Sequence, residues 1–472
     1  MPERGLQYWM LRVIDEAEKV RGGFEADPVH DLRVAIRRCR SIADGFRMID
    51  PYPAWKKMRK AGKALFSALG DLRDVQVQMD WVKHLSAEGD PVRERLMAHF
   101  QQREQELKTV AANTLANFDV GQWKGWASVL GERAESIPVG GQVFQVIALE
   151  RWIEARRLHS VAMKNRSKMA LHAVRIGIKK FRYIVENFLP ELHEAWIKDL
   201  KEVQDLLGEI HDLDVLSETA RATGAYEGPA QRSNWRNAIL VERAKRLEKY
   251  RSRMIGKQSL WTKWREGLPS GEALRRAIVA KFDTWSALRD RDRLHTEAVL
   301  QSSLEIFDFL RAAGLLSAVD IEGVGQRDLL TVAVLGHEAG RLKSGKHHKT
   351  VVKVFDRLDV PPGWSPFHLH MAGLIARYHA GAPPNVSQKQ YRGLRKATRT
   401  VVDRLAGIIR LADALERQRD MATRDVAIAR VNGHIVITAG GVPERTRQAE
   451  RIAAARHLLE SVCGMPIVVR PA

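Results

Sequence analysis

His30-Asp-Leu-Arg33-Val-Ala-Ile-Arg37-Arg38-Cys39-Arg40 runs on to Phe46, and 142 residues later the chain reads His172-Ala-Val-Arg175-Ile-Gly-Ile-Lys179-Lys180-Phe181-Arg182 and runs on to Phe188. The correspondence continues after a small change of spacing. Lys60, Lys63, Gly70 and Asp74 meet Lys198, Lys201, Gly208 and Asp212 at a separation of 138, and Trp123 and Trp126 meet Trp261 and Trp264 at the same separation. So many ordered matches mark an internal repeat, which makes residues 1 to about 265 a tandem pair of similar helical units.

On a helical wheel, Leu32, Ala35, Ile36, Cys39, Ile42, Ala43 and Phe46 share about one third of the circle, the stripe expected of a core-facing helix. His30, Arg33, Arg37, Arg40 and Arg47 gather opposite. The second copy repeats this, with Val174, Ile178, Phe181, Ile184, Val185 and Phe188 on one side and His172, Arg175, Lys179 and Arg182 on the other. Asp27-Pro28 predicts a helix start, with Asp27 as an N-cap carboxylate and proline in the first turn; the second copy has no comparably clean start. A single basic face reads as solvated surface. Here the pattern recurs position by position with few interleaved acids, whereas surface helices mix signs for i,i+4 pairing. A row of like charges repels itself unless an anion neutralises it. Lys56, Lys57, Arg59, Lys60, Lys63, Lys198 and Lys201 are placed to extend the same groove. Gly70 and Gly208, each four residues before an Asp, are expected at close helix approaches or helix ends, and the Trp pairs in the core.

The totals agree with such a site without locating it. The chain has 472 residues and a formal net charge of +20, which favours an acidic partner: nucleic acid, an anionic surface or a phosphate polymer. Residues 291–472 hold 27 Lys and Arg against 18 Asp and Glu, and residues 1–290 hold 50 against 39, so neither half monopolises the charge. Two distant cysteines, Cys39 and Cys463, indicate no disulfide framework and suit a reducing cytoplasm. The first residues lack the pattern of a secretion signal, and no run approaches the roughly 18 apolar residues of a membrane helix.

The doubled His-x-x-Arg-x-x-x-(Arg/Lys)-(Arg/Lys)-x-Arg pattern, each copy followed by Gly-x-x-x-Asp, resembles the CHAD domain, the conserved-histidine α-helical domain, over roughly residues 5–265. The resemblance implies two pseudo-symmetric four-helix bundles around a basic pore that binds inorganic polyphosphate, and association with polyphosphate granules. The implied ligands are His30, Arg33, Arg37, Arg38 and Arg40 with His172, Arg175, Lys179, Lys180 and Arg182, and the auxiliary lysines are Lys56, Lys60, Lys63, Lys198 and Lys201. No cofactor is expected for this binding. CHAD domains are often fused to triphosphate tunnel enzymes, which carry Glu-x-Glu-x-Lys on a barrel strand. Glu104-Gln-Glu106-Leu-Lys108 matches that pattern but falls in a helical stretch.

The second half is expected to follow a linker, 266–292, as a helical domain over 293–420 and a small α/β cap over 421–472. Candidate metal ligands appear in the order His295, His337-Glu338, His347, His348, His379 and Asp413. His, His-acid and a distant Asp is the order of HD-type phosphohydrolases, in which imidazole and carboxylate hold a divalent metal that activates water. Glu338 departs from that motif, and its extra methylene is expected to shift or lose the metal; Arg341, Lys343, Lys346 and Lys349 nearby favour phosphate instead. Leu335-Gly-His337-Glu338-Ala-Gly340, Ser344-Gly-Lys-His347-His348-Lys349, Arg377-Tyr378-His379 and Leu405–Leu415 resemble the C-terminal HD-like helical domain of the exopolyphosphatase / guanosine pentaphosphate phosphohydrolase family. That resemblance implies a second polyanion-binding domain. The family's catalytic actin-like domains have no counterpart here, so a non-catalytic polyphosphate binder is the leading expectation. The alternatives are a phosphohydrolase with a metal on His295, His337, Glu338 and Asp413, and a nucleic-acid binder, which would lack stacking aromatics beside its basic helices. Asn432-Gly433 between Val426–Val431 and His434–Thr438 predicts a hairpin, followed by a helix over 445–462 and a strand over 466–470.

Overall fold

The structure, a computed structural model, describes residues 5–24, 26–165, 167–290, 292–316, 320–339, 347–416, 426–440 and 447–471. Two compact units divide the chain, Met1–Pro269 and Ser270–Ala472. The fold is mainly helical, with one small sheet near the C-terminus.

In the first unit the repeat becomes a repeat of helices. α1 (Leu6–Arg21), α2 (Ala26–Phe46), α3 (Pro53–Leu85), α4 (Pro91–Ala116) and α5 (Val120–Glu135) are followed in the same order by α6 (Gln142–Asn165), α7 (Lys168–Phe188), α8 (Pro190–Ala222), α9 (Pro229–Met254) and the short α10 (Leu260–Glu266). α2 and α7 are 21 residues each, α3 and α8 are 33, and α4 and α9 are 26, so the repeat is one of length as well as sequence. Each repeat thus has four long helices plus a fifth that carries its Trp pair. Trp123, Trp261 and Trp264 are buried, while Trp126 is only partly so.

Both predicted apolar stripes are buried to 5% exposure or less, each large side chain contributing about 1.5–3 kcal/mol. α2 packs on its own equivalent α7, and α3 on α8, which places a pseudo-two-fold axis between the repeats. At that seam the closing residues of the two quoted motifs meet. Phe46 lies edge-on to Phe188 with centroids 5.3 Å apart, and Phe144 stacks on Phe188 at 4.0 Å. Gly45 is required there, because a Cβ would fall 2.3 Å from the Phe188 ring.

Three local expectations change. α2 begins at Ala26, so Asp27 lies within the first turn and acts on the helix dipole rather than as the N-cap. The second copy does have a cap: the Ser167 hydroxyl accepts from the Ala170 amide at 3.1 Å. Gly70 and Gly208 lie in the middle of α3 and α8, at neither a helix end nor a tight crossing. A Cβ on Gly70 would meet only the Arg33 guanidinium, at 3.9 Å, and one on Gly208 would meet nothing. Gly70 keeps the helix wall low beside the Arg33 guanidinium.

In the second unit, α13 (Gln326–Gly336) has every residue from Leu329 to Gly336 buried and packs among α11 (Gly271–Ala287), α12 (Arg293–Ala312), α15 (Pro366–Arg377) and α17 (Lys396–Leu415). The segment expected as a linker therefore carries α11, whose Ala277, Ile278, Phe282 and Trp285 are buried. α14 (His347–Phe355) packs on α15, and α16 (Lys389–Arg392) is a single turn. β1 (Val426–Val431) and β2 (His434–Ala439) form the expected antiparallel hairpin, with Asn432 and Gly433 at φ 46° and 78°. β3 (Ile467–Pro471) joins β2 in parallel after α18 (Arg447–Cys463). α18 closes on α17 at Gly407, where a Cβ would lie 3.1 Å from the Leu459 amide nitrogen.

Candidate functional site

Crossing α2 over α7 brings together the two basic faces and sorts their residues into two kinds. Arg33 and Arg37 from α2 meet Arg175 and Lys179 from α7. Burial lowers the Lys179 pKa to about 8, with Arg175, Arg37 and Arg33 adding repulsion and Asp74 opposing it. Burial likewise lowers Arg33, with Arg37 and Arg73 adding to the effect against Asp74. The nearest carboxylate to Arg33 is Asp74, a loose 3.9 Å away and largely exposed. Among the described residues, Arg37, Arg175 and Lys179 make no hydrogen bond or ion pair. Four half-buried cations thus converge on the pseudo-axis with little internal compensation.

The other motif residues are already engaged within the protein. Arg38 pairs with Glu186, donates to the Asn187 side-chain oxygen at 3.0 Å and lies over Trp9 at 5.4 Å. Arg40 donates to the Arg59 carbonyl at 2.7 Å and lies over Phe66 at 5.1 Å. Lys180 pairs with Glu154 at 3.0 Å, and Arg182 with Glu186 at 3.6 Å. His30 and His172 are exposed. Lys56, Lys60, Lys63, Lys198 and Lys201 are exposed and make no ion pair among the described residues. At 1.5 Å per residue, Lys60 and Lys198 lie roughly 20 Å along α3 and α8 from Arg73 and His211, away from the central four cations.

Three residues near the centre were missed from sequence. Arg73 on α3 and His211 on α8 are repeat equivalents, each beside the arginine of its own repeat. The Tyr183 hydroxyl is shielded from solvent and makes no hydrogen bond among the described residues, with Arg37, Arg182, Glu186 and Arg33 around it. The separation of 138 already paired positions 73 and 211, but an Arg matched to a His carries no visible identity. Next to them, burial raises the Asp212 pKa to about 6 against the pull of Arg175, and the Gln78 side chain donates to the Asp212 carbonyl at 3.1 Å, tying α3 to α8.

The second unit gathers the predicted metal ligands. His295 on α12, His337 at the end of α13, the adjacent Glu338 and Asp413 on α17 are all buried, with one ligand atom from each lying within 4.8 Å of the others. The longer Glu338 side chain therefore reaches the cluster. The His337 Nδ1–H donates to the Val334 carbonyl at 2.6 Å, which leaves the lone pair on Nε2, a buried atom with no hydrogen bond. His295 Nε2 lies 3.2 Å from Asp413 Oδ1. Burial works against a charged His295, but Asp413, Glu338 and Asp292 outweigh it and raise its pKa; burial dominates at His337 and lowers it. Two imidazoles and two carboxylates suit Mn²⁺, Fe²⁺ or Zn²⁺. His379 stands outside this set, its ring 5.1 Å from that of His337. Arg341, Lys343, Ser344 and Lys346, with the side chains of His347, His348 and Lys349, lie outside the described residues. Glu104 and Lys108 lie on α4 and pair with each other at 3.5 Å, as a helix surface permits.

Comparison with known proteins assigns the first unit only. A family model described as the CHAD domain matches residues 10–221. Among solved structures, the CHAD domain from the plant Ricinus communis is similar at 22% identity, covering 52% of this chain and 88% of that one, with a TM-score of 0.42. No curated protein matches the chain. Among the described residues no helix is long and apolar enough to cross a membrane.

Proposed function

We propose that the first unit binds inorganic polyphosphate across its pseudo-axis. The observation that carries this is the convergence of Arg33, Arg37, Arg175 and Lys179 with so little compensation from acids. Arginine forks fit phosphate oxygens in pairs and lysine adds a point charge. Linear polyphosphate has no chain direction, so a polymer lying across a two-fold axis meets equivalent cations from both repeats. A nucleic acid has direction and bases, and the aromatic rings beside the basic helices, Phe66, Trp9 and Tyr183, lie beneath cationic side chains. In a cell holding polyphosphate granules, such a site would place the protein on them. Titration with long-chain polyphosphate at about 150 mM salt, with RNA as competitor, tests the reading. Tight binding that survives RNA and is lost when the four cations become alanine supports it; binding unchanged by the four substitutions overturns it.

A second reading, favoured by the His295, His337, Glu338 and Asp413 cluster, gives the HD-like second unit a divalent metal. When bound, such a metal would supply an activated water for hydrolysis of polyphosphate or a phosphorylated nucleotide. Metal analysis of the purified protein followed by a phosphate-release assay decides it. One equivalent of metal with release supports hydrolysis. Metal without release leaves a structural ion, and no metal sinks this reading.

A further inference from the structure

His211 is the repeat equivalent of Arg73, and the two sit in matching surroundings. Arg73 lies close enough to Arg33 to depress its pKa, and His211 feels Arg175, the equivalent of Arg33, in the same way. Each is followed by an Asp, Asp74 or Asp212, that faces the same cations. The first repeat therefore contributes a permanent charge at this position and the second a titratable one. The His211 ring also lies 4.8 Å from that of His172.

We infer that His211 is a further polyphosphate-binding residue, taking the place of Arg73 in the second repeat and acquiring its charge as a proton bound together with the phosphate chain. This rests on the polyphosphate reading of the first unit. The groups around His211 define the linkage. From α7 come Arg175 and His172; from α3 comes Asp74; on α8 itself Asp214 is held by Lys168 of α7 at 3.3 Å and Arg243 of α9 at 2.9 Å. Burial, then Arg175 and His172, lower the pKa of His211, so at neutral pH it is largely uncharged without ligand. A phosphate brought in by Arg175 reverses that balance, because an anion nearby favours the charged imidazole. Internal phosphates of a long chain are strong acids with fixed charge, so a pH dependence above pH 5 comes from the protein.

The experiment is titration of the full chain with long-chain polyphosphate at constant salt from pH 5.5 to 8.0, for the wild type, His211→Gln, His211→Arg and Arg73→Ala. The wild type is expected to bind about tenfold tighter at pH 5.5 than at 7.5. His211→Gln should lose at least half of that gain, and His211→Arg should hold the low-pH affinity up to pH 7.5. Arg73→Ala should weaken binding by a similar factor at every pH. A pH profile in His211→Gln that matches the wild type overturns the inference while leaving polyphosphate binding intact. Asp212→Asn measures the share of the pH dependence that belongs to that carboxyl, and the inference fails if it accounts for all of it. Absence of wild-type binding at any pH removes the functional reading itself, and this inference with it.

Discussion

The two candidate sites handle buried charge in opposite ways. At the α2–α7 crossing the first unit gathers cations of one sign, leaves them half exposed and, among the described residues, gives Arg33 no carboxylate closer than the loose Asp74 contact. Around α13 the second unit buries imidazoles beside carboxylates, so the charges largely answer one another. A half-exposed cluster of like charge costs modest repulsion and recruits a mobile polyanion. A fully buried mixed cluster is expensive in desolvation, and one small cation at its centre relieves that cost. On the readings proposed above, burial and sign, more than the number of charges, would set the kind of ligand each site takes.

The comparison breaks first where its largest effect lies. Changing Arg33, Arg37, Arg175 and Lys179 to alanine should weaken long-chain polyphosphate more than about a hundredfold at roughly 150 mM salt and cut the slope of log affinity against log salt by about three. A slope that stays put would place the polymer elsewhere, with the exposed lysines of α3 and α8 the next suspects. In the second unit, His337→Ala removes a direct ligand and should lower metal affinity by at least the roughly hundredfold that losing an outer-shell partner can cost, read as metal content after dialysis. Metal content equal to wild type would remove His337 from the set.

A sharper contrast lies within one turn of α2. Glu186 holds both Arg38 and Arg182, and its side chain is only 9% exposed. Glu186→Ala leaves two half-buried guanidiniums without their partner and should cost about 3 kcal/mol in denaturant unfolding. Arg37→Ala, one residue from Arg38, removes repulsion and should leave stability equal or a few tenths of a kcal/mol higher, while weakening polyphosphate. If both variants lose stability alike, Arg37 belongs to the scaffold and the division between ligand and structural arginines fails.

That division was not legible in the sequence, although the helices carrying it were. Period, repeat spacing and the buried stripes of α2 and α7 follow from local patterning, which a wheel reads directly. Whether Arg38 faces the groove or Glu186 depends on the tertiary crossing of α2 and α7, where Arg38 also meets Asn187, 149 residues away in sequence. The same limit hid Arg73 and His211, whose equivalence is positional. Glu338 adds a position that motif reasoning could not supply: its extra methylene was expected to shift or lose a metal, and the backbone at the end of α13 sets its carboxylate within 4.8 Å of the other three ligand atoms. The cap on α7 was missed for a simpler reason, since Ser167 stands just before the helix and its role is fixed only by the Ala170 amide.

A further contrast separates two buried histidines. Asp413 draws His295 toward the charged form, whereas His159 in the first unit, 2% exposed, faces the Tyr250 hydroxyl at 2.7 Å and, among the described residues, pairs with no carboxylate. Burial pushes the Tyr250 pKa up, so its O–H stays protonated and shares a hydrogen bond with a neutral His159 at Nδ1. Burial, with some repulsion from Arg156, lowers the His159 pKa from 6.5 to about 4. The folded pKa lies below the unfolded one, so the unfolded chain takes up the proton first. The stabilising effect is complete above pH 6.5 and is lost as pH falls from there toward 4, amounting to about 2 kcal/mol by pH 5. His159→Gln keeps an acceptor for Tyr250 and removes the titration. Its melting temperature should lie somewhat below wild type at pH 7.5 and draw level with it or pass it by pH 5, a relative change of several degrees. Parallel curves for the two proteins across that range would mean that His159 is protonated in the fold, and that the first unit tolerates a buried positive charge without a carboxylate beside it.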